Sequence, residues 1–405
     1  MTTDDSFDIF LVTPPGLEGQ LGAEARARGF KGVKTSRGGV TVKGGWPEVW
    51  RANLELRGTG RVLAHLESFR ALHLAQLDKR ARRVPWAAVL RRDVPFRVEA
   101  SCKSSRIYHS GAAAERITRA IHEELGAPKS DEAEVCVRVR IENDLCLIGI
   151  DTSGELLHKR GHKEAVAKAP MRETMASLFL RQCGFDGREP VVDPMCGSGT
   201  FLIEAAEMAA GLKPGRARRF AFESLATFDE AAWRAMRDAE PLVPPLPPDV
   251  RFHGSDRDAN AISMSTANAA RAGVEALTEF RRGTISDLVA PPGPPGLVIV
   301  NPPYGARLGD GRRLQPLYRA LGQTLLTRFP GWRVGIVTTE ASLAEATGLP
   351  LLPPGAPVSH GGLRVTLFRT GPLPAGSPAD ASASALVGAE AGDPEASSPT
   401  AEHQS

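Results

Sequence analysis

The chain has 405 residues, with 50 basic and 47 acidic side chains for a formal net charge of +3, and 42% of its residues are hydrophobic. This length excludes a single small module and predicts two to three domains, each with a core of its own. No run of about 18 apolar residues occurs and the first residues are acidic, so we expect neither a membrane span nor a signal peptide, and a cytoplasmic location.

Charge is unevenly distributed along the chain. Residues 1–163 hold 27 basic and 21 acidic side chains, whereas residues 371–405 hold five acidic and no basic ones. This last segment is rich in Ala, Ser, Pro and Gly and has no aromatic residue, so we predict a disordered acidic tail. The five cysteines form no Cys-x-x-Cys pair and have no His at metal-ligand spacing, which predicts free thiols and no metal site.

The first 155 residues show two successive α+β patterns. Residues 1–60 begin with a strand pattern at Phe7 to Val12, followed by a helical pattern and a glycine-rich strand pair, which predicts a small α+β unit. Residues 61–155 contain further strand patterns with helical ones between them, which predicts a second α+β module.

Residues 164–370 alternate strand and helix patterns. A helix from Met171 to Gln182 precedes a short strand at Val191-Val192, and further strand patterns follow with helices between them. This alternation predicts an α/β domain with a doubly wound, mostly parallel sheet, which binds ligands beyond the carboxyl ends of its strands. A proline-rich segment at 240–249 is predicted to be a surface connection or an insertion.

The strongest local signal lies at residues 191–200, Val-Val-Asp-Pro-Met-Cys-Gly-Ser-Gly-Thr. A strand delivers Asp193 at its carboxyl end, and Gly197 and Gly199 let the backbone approach a ligand before a helix begins. The segment has neither the Gly-Lys-Ser/Thr ending of a phosphate loop nor the Gly-x-Gly-x-x-Gly spacing of a dinucleotide site. Its acid suits a ligand with an ammonium or a sulfonium group. The plain alternative is a strand-to-helix turn.

Two further acids follow later strands of the same domain. Asp256 ends the next strand pattern, where a carboxylate could grip two ribose hydroxyls. Asp287 follows the strand after that and could accept a hydrogen bond from an adenine amino group. Each acid alone is more often a loop or helix-capping Asp, but their order after Asp193 favours binding of one shared ligand.

The second strong signal is Asn301-Pro302-Pro303-Tyr304, directly after an apolar run. Two consecutive prolines fix the backbone and remove two amide donors, which leaves carbonyl groups free to accept. The Asn301 oxygen and the Pro302 carbonyl could accept both hydrogens of an exocyclic amine on a nucleobase and turn its lone pair towards an electrophile. Tyr304 would stack on that base, which must first leave its helix. The plain alternative is a proline-rich turn.

Together these motifs resemble the class I S-adenosylmethionine-dependent methyltransferases that act on exocyclic amines. Leu157-His-Lys-Arg-Gly161 and Ala169-Pro-Met-Arg-Glu-Thr174 narrow the resemblance, over about residues 6–370, to THUMP-domain RNA methyltransferases. The sequence is most similar to the N-terminal, guanine-N2 half of the RlmL proteins and is also similar to tRNA guanine-N2 enzymes such as TrmN. His162 stands where many relatives have Tyr.

The resemblance implies a fold, a cofactor and a set of site residues. Residues 164–370 would form a Rossmann-like class I methyltransferase domain with a mostly parallel seven-stranded sheet, after a ferredoxin-like unit at 1–60 and a THUMP RNA-binding domain at 61–155. S-adenosylmethionine would be bound by Asp193, Pro194, Met195, Gly197, Ser198, Gly199, Thr200, Asp256, Arg257, Asp287 and Asn301. The catalytic residues would be Asn301, Pro302, Pro303 and Tyr304.

Basic side chains near aromatic ones in the N-terminal part are typical of RNA binding. The candidate RNA-binding residues are Arg82, Arg83, Lys103, Arg106 and Tyr108. Such charge runs are also common on solvated faces. We expect ribosomal RNA, or next transfer RNA, as the partner, and neither a membrane nor a metal.

Several functions stay open. The leading one is methyl transfer from S-adenosylmethionine to guanine N2 in structured RNA, and the same loop chemistry would serve adenine N6 in RNA or DNA. Cytosine C5 methylation is less expected, because it needs a thiolate and no Cys lies near Asn301 in the sequence. A non-catalytic RNA-binding or ribosome-assembly factor is the alternative of another class, which the intact acids and the Asn301 loop disfavour.

Overall fold

In the computed structural model the described residues are 6–163, 171–240, 246–247, 250–305 and 310–375. They form two seven-stranded sheets with helices packed against them. The strands are β1 Phe7–Val12, β2 Lys31–Ser36, β3 Gly39–Gly44, β4 Arg61–Arg70, β5 Phe96–Lys103, β6 Val135–Glu142, β7 Leu145–Asp151, β8 Val191–Asp193, β9 Phe252–Asp256, β10 Thr278–Arg282, β11 Leu297–Val300, β12 Arg333–Thr338, β13 Val358–His360 and β14 Leu363–Arg369. The α-helices are α1 Glu18–Ala27, α2 Trp46–Glu55, α3 Leu74–Ala81, α4 Ser110–Leu125, α5 Glu173–Gln182, α6 Thr200–Ala209, α7 Glu230–Asp238, α8 Ala259–Ala272, α9 Asp310–Arg328 and α10 Ala341–Glu345.

The first sheet has the order β2-β3-β1-β4-β7-β6-β5. Its strands alternate in burial where one face meets the core, as in β1, where Phe7, Ile9 and Leu11 are buried. The antiparallel pairing of β1 with β4 places Ile9 opposite Ala64, so the sheet continues across the predicted boundary between residues 60 and 61. The two predicted N-terminal units therefore share one sheet.

The second sheet has the order β10-β9-β8-β11-β12-β14-β13. The strands from β10 to β12 in this order are parallel, and β14 runs antiparallel to both β12 and β13. After β8 the chain moves outward to β9 and β10 and then crosses to β11 on the other side. The crevice at this reversal, beyond the carboxyl ends of β8 and β11, is where open sheets of this kind bind ligands. The predicted doubly wound, mostly parallel sheet is confirmed.

Buried charges join the two halves of the molecule. Arg57, which precedes β4, donates hydrogen bonds to Glu204 at 3.0 Å and to Glu207 at 2.9 Å, both on α6. Arg160 donates to the same Glu204 at 3.0 Å. The four side chains are at most 2% exposed. Charges buried this completely are costly unless they are paired, so the network favours one arrangement of the halves.

The C-terminal part of the fold extends beyond the sequence prediction. The hairpin of β13 and β14, which was not predicted, turns through Gly361 and Gly362 with φ of +57° and +83°. Leu373 is buried, and its backbone bonds to Gly331 and Trp332, so the fold includes the first residues of the predicted 371–405 tail. Residues 376–405 and most of the 240–249 segment lie outside the described residues.

Three further features of the described residues are the state of the cysteines, clusters of potential metal ligands and helices that could cross a membrane. All five cysteines are free thiols. Within the described ranges, no cluster of His, Cys, Asp and Glu side chains is arranged to hold a metal ion. In the same part of the chain, every helix is too short or too polar to cross a membrane.

Candidate active site

Asp193 is the last residue of β8 and is 2% exposed. Its Oδ1 accepts a hydrogen bond from the Met195 amide at 3.1 Å. Burial and the nearby charge of Asp256 raise the pKa of Asp193 to about 8, although the Met195 bond acts in the opposite direction. A carboxyl group in this state favours a cationic ligand, because a positive charge would stabilise its ionised form.

The turn after Asp193 brings the backbone of one motif to the acid of the next. Gly197 and Gly199 have φ of +53° and +82°, and a Cβ at Gly199 would lie 3.0 Å from the Ser265 Cβ. The Gly197 amide donates to Oδ2 of Asp256 at 3.1 Å, which ties the turn to the end of β9. The first two predicted cofactor-binding segments therefore meet in the structure. In the same segment Pro194, Ser198 and Thr200 are buried and Met195 is half-buried.

Asp256, Arg257 and Asp287 lie at the ends of the next strands. Asp256 is half-buried at the end of β9, and its Oδ1 accepts the Asp258 amide at 3.0 Å. The Arg257 side chain is exposed. Asp287, in the turn after β10, is exposed and accepts from the Thr284 amide at 3.0 Å and the Thr284 hydroxyl at 2.7 Å. Asp256 thus contacts the glycine turn, whereas Asp287 caps its own turn.

Asn301 follows the fully buried strand β11, which pairs in parallel with β8, so Asp193 and Asn301 stand at the ends of neighbouring strands. The Asn301 Oδ1 is buried and has no hydrogen-bond partner among the described residues. Tyr304 is half-buried, and burial raises the pKa of its hydroxyl, although the nearby Asn301 side chain acts in the opposite direction. Pro302 is buried and Pro303 is exposed. A buried acceptor without a partner is costly unless a ligand supplies the donor.

Sequence reasoning missed the residues that support these motifs. The hydroxyl of Tyr318, a fully buried residue of α9, lies 3.3 Å from the Pro303 carbonyl and 3.2 Å from the Thr338 hydroxyl. The Nζ of Lys163 donates to the Thr200 hydroxyl at 2.8 Å and lies 3.0 Å from Glu173. Lys163 and Glu173 lie next to or within the two stretches that carried the resemblance, whereas Tyr318 has no local sequence signal.

The predicted RNA-binding residues fall into two groups, of which the first lies at the end of α3. Arg82 contacts three carboxylates, those of Asp78, Glu123 and Glu124. Arg83 is exposed. The charge of Arg82 is therefore balanced within the protein, which favours a role in holding α3 against α4 over phosphate binding.

The second group lies at the last residue of β5 and in the loop that leads from β5 to α4. Lys103 is exposed and lies 3.3 Å from Glu142, and the side chain of Arg106 is exposed. The Arg106 amide donates to Asp144 at 2.7 Å, which holds the loop against the turn between β6 and β7. Tyr108 is 84% exposed. The loop therefore presents two cations and an aromatic ring to solvent.

The sheet order and the acids, glycine turn and asparagine at its strand ends define the class I, S-adenosylmethionine-dependent methyltransferase fold. A family model described as "RMKL-like, methyltransferase domain" matches residues 160–350, and one described as "RlmL ferredoxin-like domain" matches residues 8–63. The chain belongs to the RlmK/L-like methyltransferase family, as the sequence motifs predicted.

Individual relatives agree with this family. The ribosomal RNA large subunit methyltransferase K/L of Methylococcus capsulatus is 33% identical over 359 residues, which make up 84% of this chain and 48% of that protein. This chain spans about half the length of the curated relatives it matches.

Solved structures resemble nearly the whole chain. A protein described as a predicted N6-adenine-specific DNA methylase from Listeria monocytogenes has a TM-score of 0.81 at 29% identity, with 91% of this chain and 97% of that chain covered. A putative methyltransferase complexed with SAH has a TM-score of 0.80 at 26% identity, with 92% and 99% covered.

Proposed function

We propose that this protein transfers a methyl group from S-adenosylmethionine to the N2 amine of a guanine in structured RNA, with large-subunit ribosomal RNA as the first candidate and transfer RNA as the next. The observation that carries the proposal is the buried Asn301 Oδ1, which lacks a partner among the described residues at the end of β11. The similarity to a protein named as a large-subunit ribosomal RNA methyltransferase supports the choice of RNA.

The residues at the ends of β8, β9 and β10 fit S-adenosylmethionine, which would supply an electrophilic methyl group on a sulfonium. The buried carboxyl group of Asp193 suits the positively charged methionine end, and the positive φ of Gly197 and Gly199 forms the tight turn beside it. Asp256 would hold the ribose hydroxyls and Asp287 the adenine amine. The similar structure complexed with SAH supports this assignment.

Asn301 and Pro302 would prepare the target amine. Their two carbonyl oxygens accept its hydrogens and turn the nitrogen lone pair, otherwise delocalised into the base, towards the methyl group. Tyr304 would stack on the base. Tyr318 holds the Pro303 carbonyl and thereby fixes the loop from outside the site. Since the proton leaves only after the new bond has formed, no strong base is needed.

RNA would be bound by the N-terminal half. We assign residues 1–60 to a ferredoxin-like unit, 61–155 to a THUMP domain and 164–370 to the methyltransferase domain. The exposed loop with Lys103, Arg106 and Tyr108, together with Arg83, supplies cations for phosphates and an aromatic surface for a base.

Adenine N6 in RNA or DNA is the second candidate function. It is favoured by the similarity to the protein described as a predicted N6-adenine-specific DNA methylase. The exocyclic amine of adenine presents the same two hydrogens to Asn301 and Pro302 as that of guanine does.

Asn301→Ala tests the chemistry. Loss of the acceptor should lower the single-turnover rate of methyl transfer by about 100-fold or more, because a preorganised polar contact to the reacting group is removed. Calorimetry should show that most of the affinity for S-adenosylmethionine is retained, because the acids at the ends of β8 and β9 still hold the cofactor. Gln323→Ala, which removes an exposed amide from α9, is the matched control and should transfer at the wild-type rate.

The substrate is identified in the same assay. Ribosomal and transfer RNA from a strain that lacks the gene are incubated with labelled cofactor, and the modified nucleoside is identified by mass spectrometry. N2-methylguanosine supports the proposal, whereas N6-methyladenosine selects the second candidate. Transfer by Asn301→Ala at the wild-type rate would refute the role of Asn301.

A further inference from the structure

A cavity of about 670 Å³ lies beside Tyr304, bordered by residues other than the predicted cofactor-binding ones. Its walls come from residues 155–163, from the start of α5 and from the hairpin of β13 and β14. This volume lies within the range of small-molecule pockets. The catalytic loop therefore borders a space large enough for one nucleotide.

The cavity is rich in positive charge. The cationic side chains that line it are Lys159, Arg160, Lys163, Arg172 and Arg218. Four of the five are engaged within the protein. Lys159 pairs with Glu155, Lys163 with Glu173 and Arg160 with Glu204. The Arg218 guanidinium donates to four main-chain carbonyls of residues 153–159.

Arg172 differs from the other four. It immediately precedes α5, is exposed and lines the cavity. Among the described residues no ion pair or side-chain hydrogen bond engages its guanidinium. The five N–H donors of that group are therefore available to a ligand with closely spaced acceptors.

His360 provides a second, independent observation. It is the last residue of β13, lines the cavity and is 6% exposed, and its Nδ1 has no hydrogen-bond partner among the described residues. Burial, with the charges of Arg172 and Lys163, lowers the pKa of His360, so the imidazole is neutral at pH 7. A buried polar atom without a partner costs free energy, which a ligand in the cavity would recover.

We infer that this cavity receives the target base and that Arg172, together with His360, recognises guanine through its O6 and N7 acceptors. The inference rests on the proposed function and names the residues that select its substrate. Arginine binds O6 and N7 of guanine in a bidentate manner, whereas adenine presents an amino group in place of O6 and would meet the guanidinium with a donor. The N2 amine lies on a different edge of the ring, so one guanine can offer that amine to Asn301. The cavity therefore favours guanine over adenine.

Binding of mononucleotides to the full chain tests this inference. Guanosine, inosine and adenosine 5′-monophosphates carry the same phosphate, and the inosine form keeps O6 and N7 but lacks the N2 amine. In the presence of SAH, the guanosine and inosine forms should bind at least about fivefold more tightly than the adenosine form in ligand-observed NMR titrations. Arg172→Gln should abolish this preference, and His360→Phe should reduce it.

Arg188→Gln is the matched control, because Arg188 is exposed and precedes the amino end of β8, whereas Asp193 lies at the carboxyl end of that strand. It should keep the preference. Equal affinities for all three nucleotides would mean that only the phosphate is bound and would overturn the inference, as would an unchanged preference in Arg172→Gln.

The RNA methylation assay separates this inference from the proposed function. Formation of N2-methylguanosine together with equal nucleotide affinities would refute the recognition by Arg172 alone. Formation of N6-methyladenosine together with tighter binding of the adenosine form would refute both.

Discussion

At the scale of single residues, we expect Asp193 to make cofactor binding depend on pH. Because its pKa is about 8 in the ligand-free protein, its carboxyl group is mostly protonated at pH 7. A cationic ligand stabilises the ionised form, so binding releases a proton. The affinity for S-adenosylmethionine should therefore rise with pH up to about 8, by at most about tenfold per pH unit. Calorimetry at several pH values, in buffers with different heats of ionisation, measures both the affinity and the proton release.

Asp193→Asn is the control for this prediction. It should weaken cofactor binding and remove the pH dependence. The same variant affects stability, since a carboxyl group whose folded-state pKa is raised stabilises the fold below about pH 4 and loses that contribution as the pH rises towards 8. The ligand-free D193N protein should melt at a higher temperature than the wild type at pH 8. A lower melting temperature would contradict the raised pKa.

Some site residues could be predicted and others could not, for a physical reason. Asp193, Asp256 and Asn301 each end a strand, and in a parallel sheet the carboxyl ends share one edge, so local patterns were enough to bring them together. Tyr318 and His360 reach the site through a helix and a hairpin that are distant in sequence. Their positions depend on tertiary packing, which no local pattern encodes.

At the scale of elements, the loop between β5 and α4 is the part of the surface that we assign to RNA. In the double variant Lys103→Glu and Arg106→Glu, the logarithm of the affinity should fall less steeply with the logarithm of the salt concentration. The slope should decrease in magnitude by about 0.7–0.9 for each phosphate that the loop no longer neutralises. Tyr108→Ala should instead weaken binding at every salt concentration, by about 1–3 kcal/mol, because a base would lose its stacking partner. Titrations of ribosomal RNA at several salt concentrations measure both effects.

The end of α3 provides the comparison for that loop. Arg82→Gln removes a side chain that Asp78, Glu123 and Glu124 already engage, so the salt dependence should stay unchanged. Arg83→Gln shows whether the RNA surface reaches this helix, because its side chain is exposed. A wild-type salt dependence in the Lys103 and Arg106 double variant would refute the assignment of the loop.

The elements differ in how far sequence predicted them. The four apolar residues of β11 and the glycine turn before α6 are strong local signals, and both elements lie where they were predicted. Helix α2 was not predicted, although Pro47 in its first turn and Glu48, which accepts the Gly45 amide at 3.1 Å, mark a helix start. The three-residue strand β13 depends on its pairing with β14, a contact that only the assembled sheet provides.

At the scale of the whole molecule, the buried network of Arg57, Arg160, Glu204 and Glu207 connects the half that we assign to RNA binding with the half that we assign to catalysis. The Glu24 carboxylate adds to it by accepting the Arg57 amide at 2.9 Å. If the network keeps the halves together, the separation between the loop that we assign to RNA and the Asn301 loop is fixed. The enzyme would then select a nucleotide at a set distance from the RNA feature that the first half binds.

Arg57→Met tests this coupling, because it leaves Glu204 and Glu207 buried with less compensating charge. Removal of one partner of a buried ion pair lowers the free energy of unfolding by about 3–5 kcal/mol. The melting temperature should fall clearly. In Arg234→Met, which breaks the exposed pair with Glu230, the free energy of unfolding should change by less than about 1 kcal/mol.

Hydrogen exchange gives the decisive readout. In the wild type and in Arg234→Met, SAH bound to the catalytic half should also protect amides of the first sheet from exchange. In Arg57→Met this protection should be much weaker. If SAH leaves the rate of amide exchange in the first sheet unchanged in all three proteins, the halves open independently.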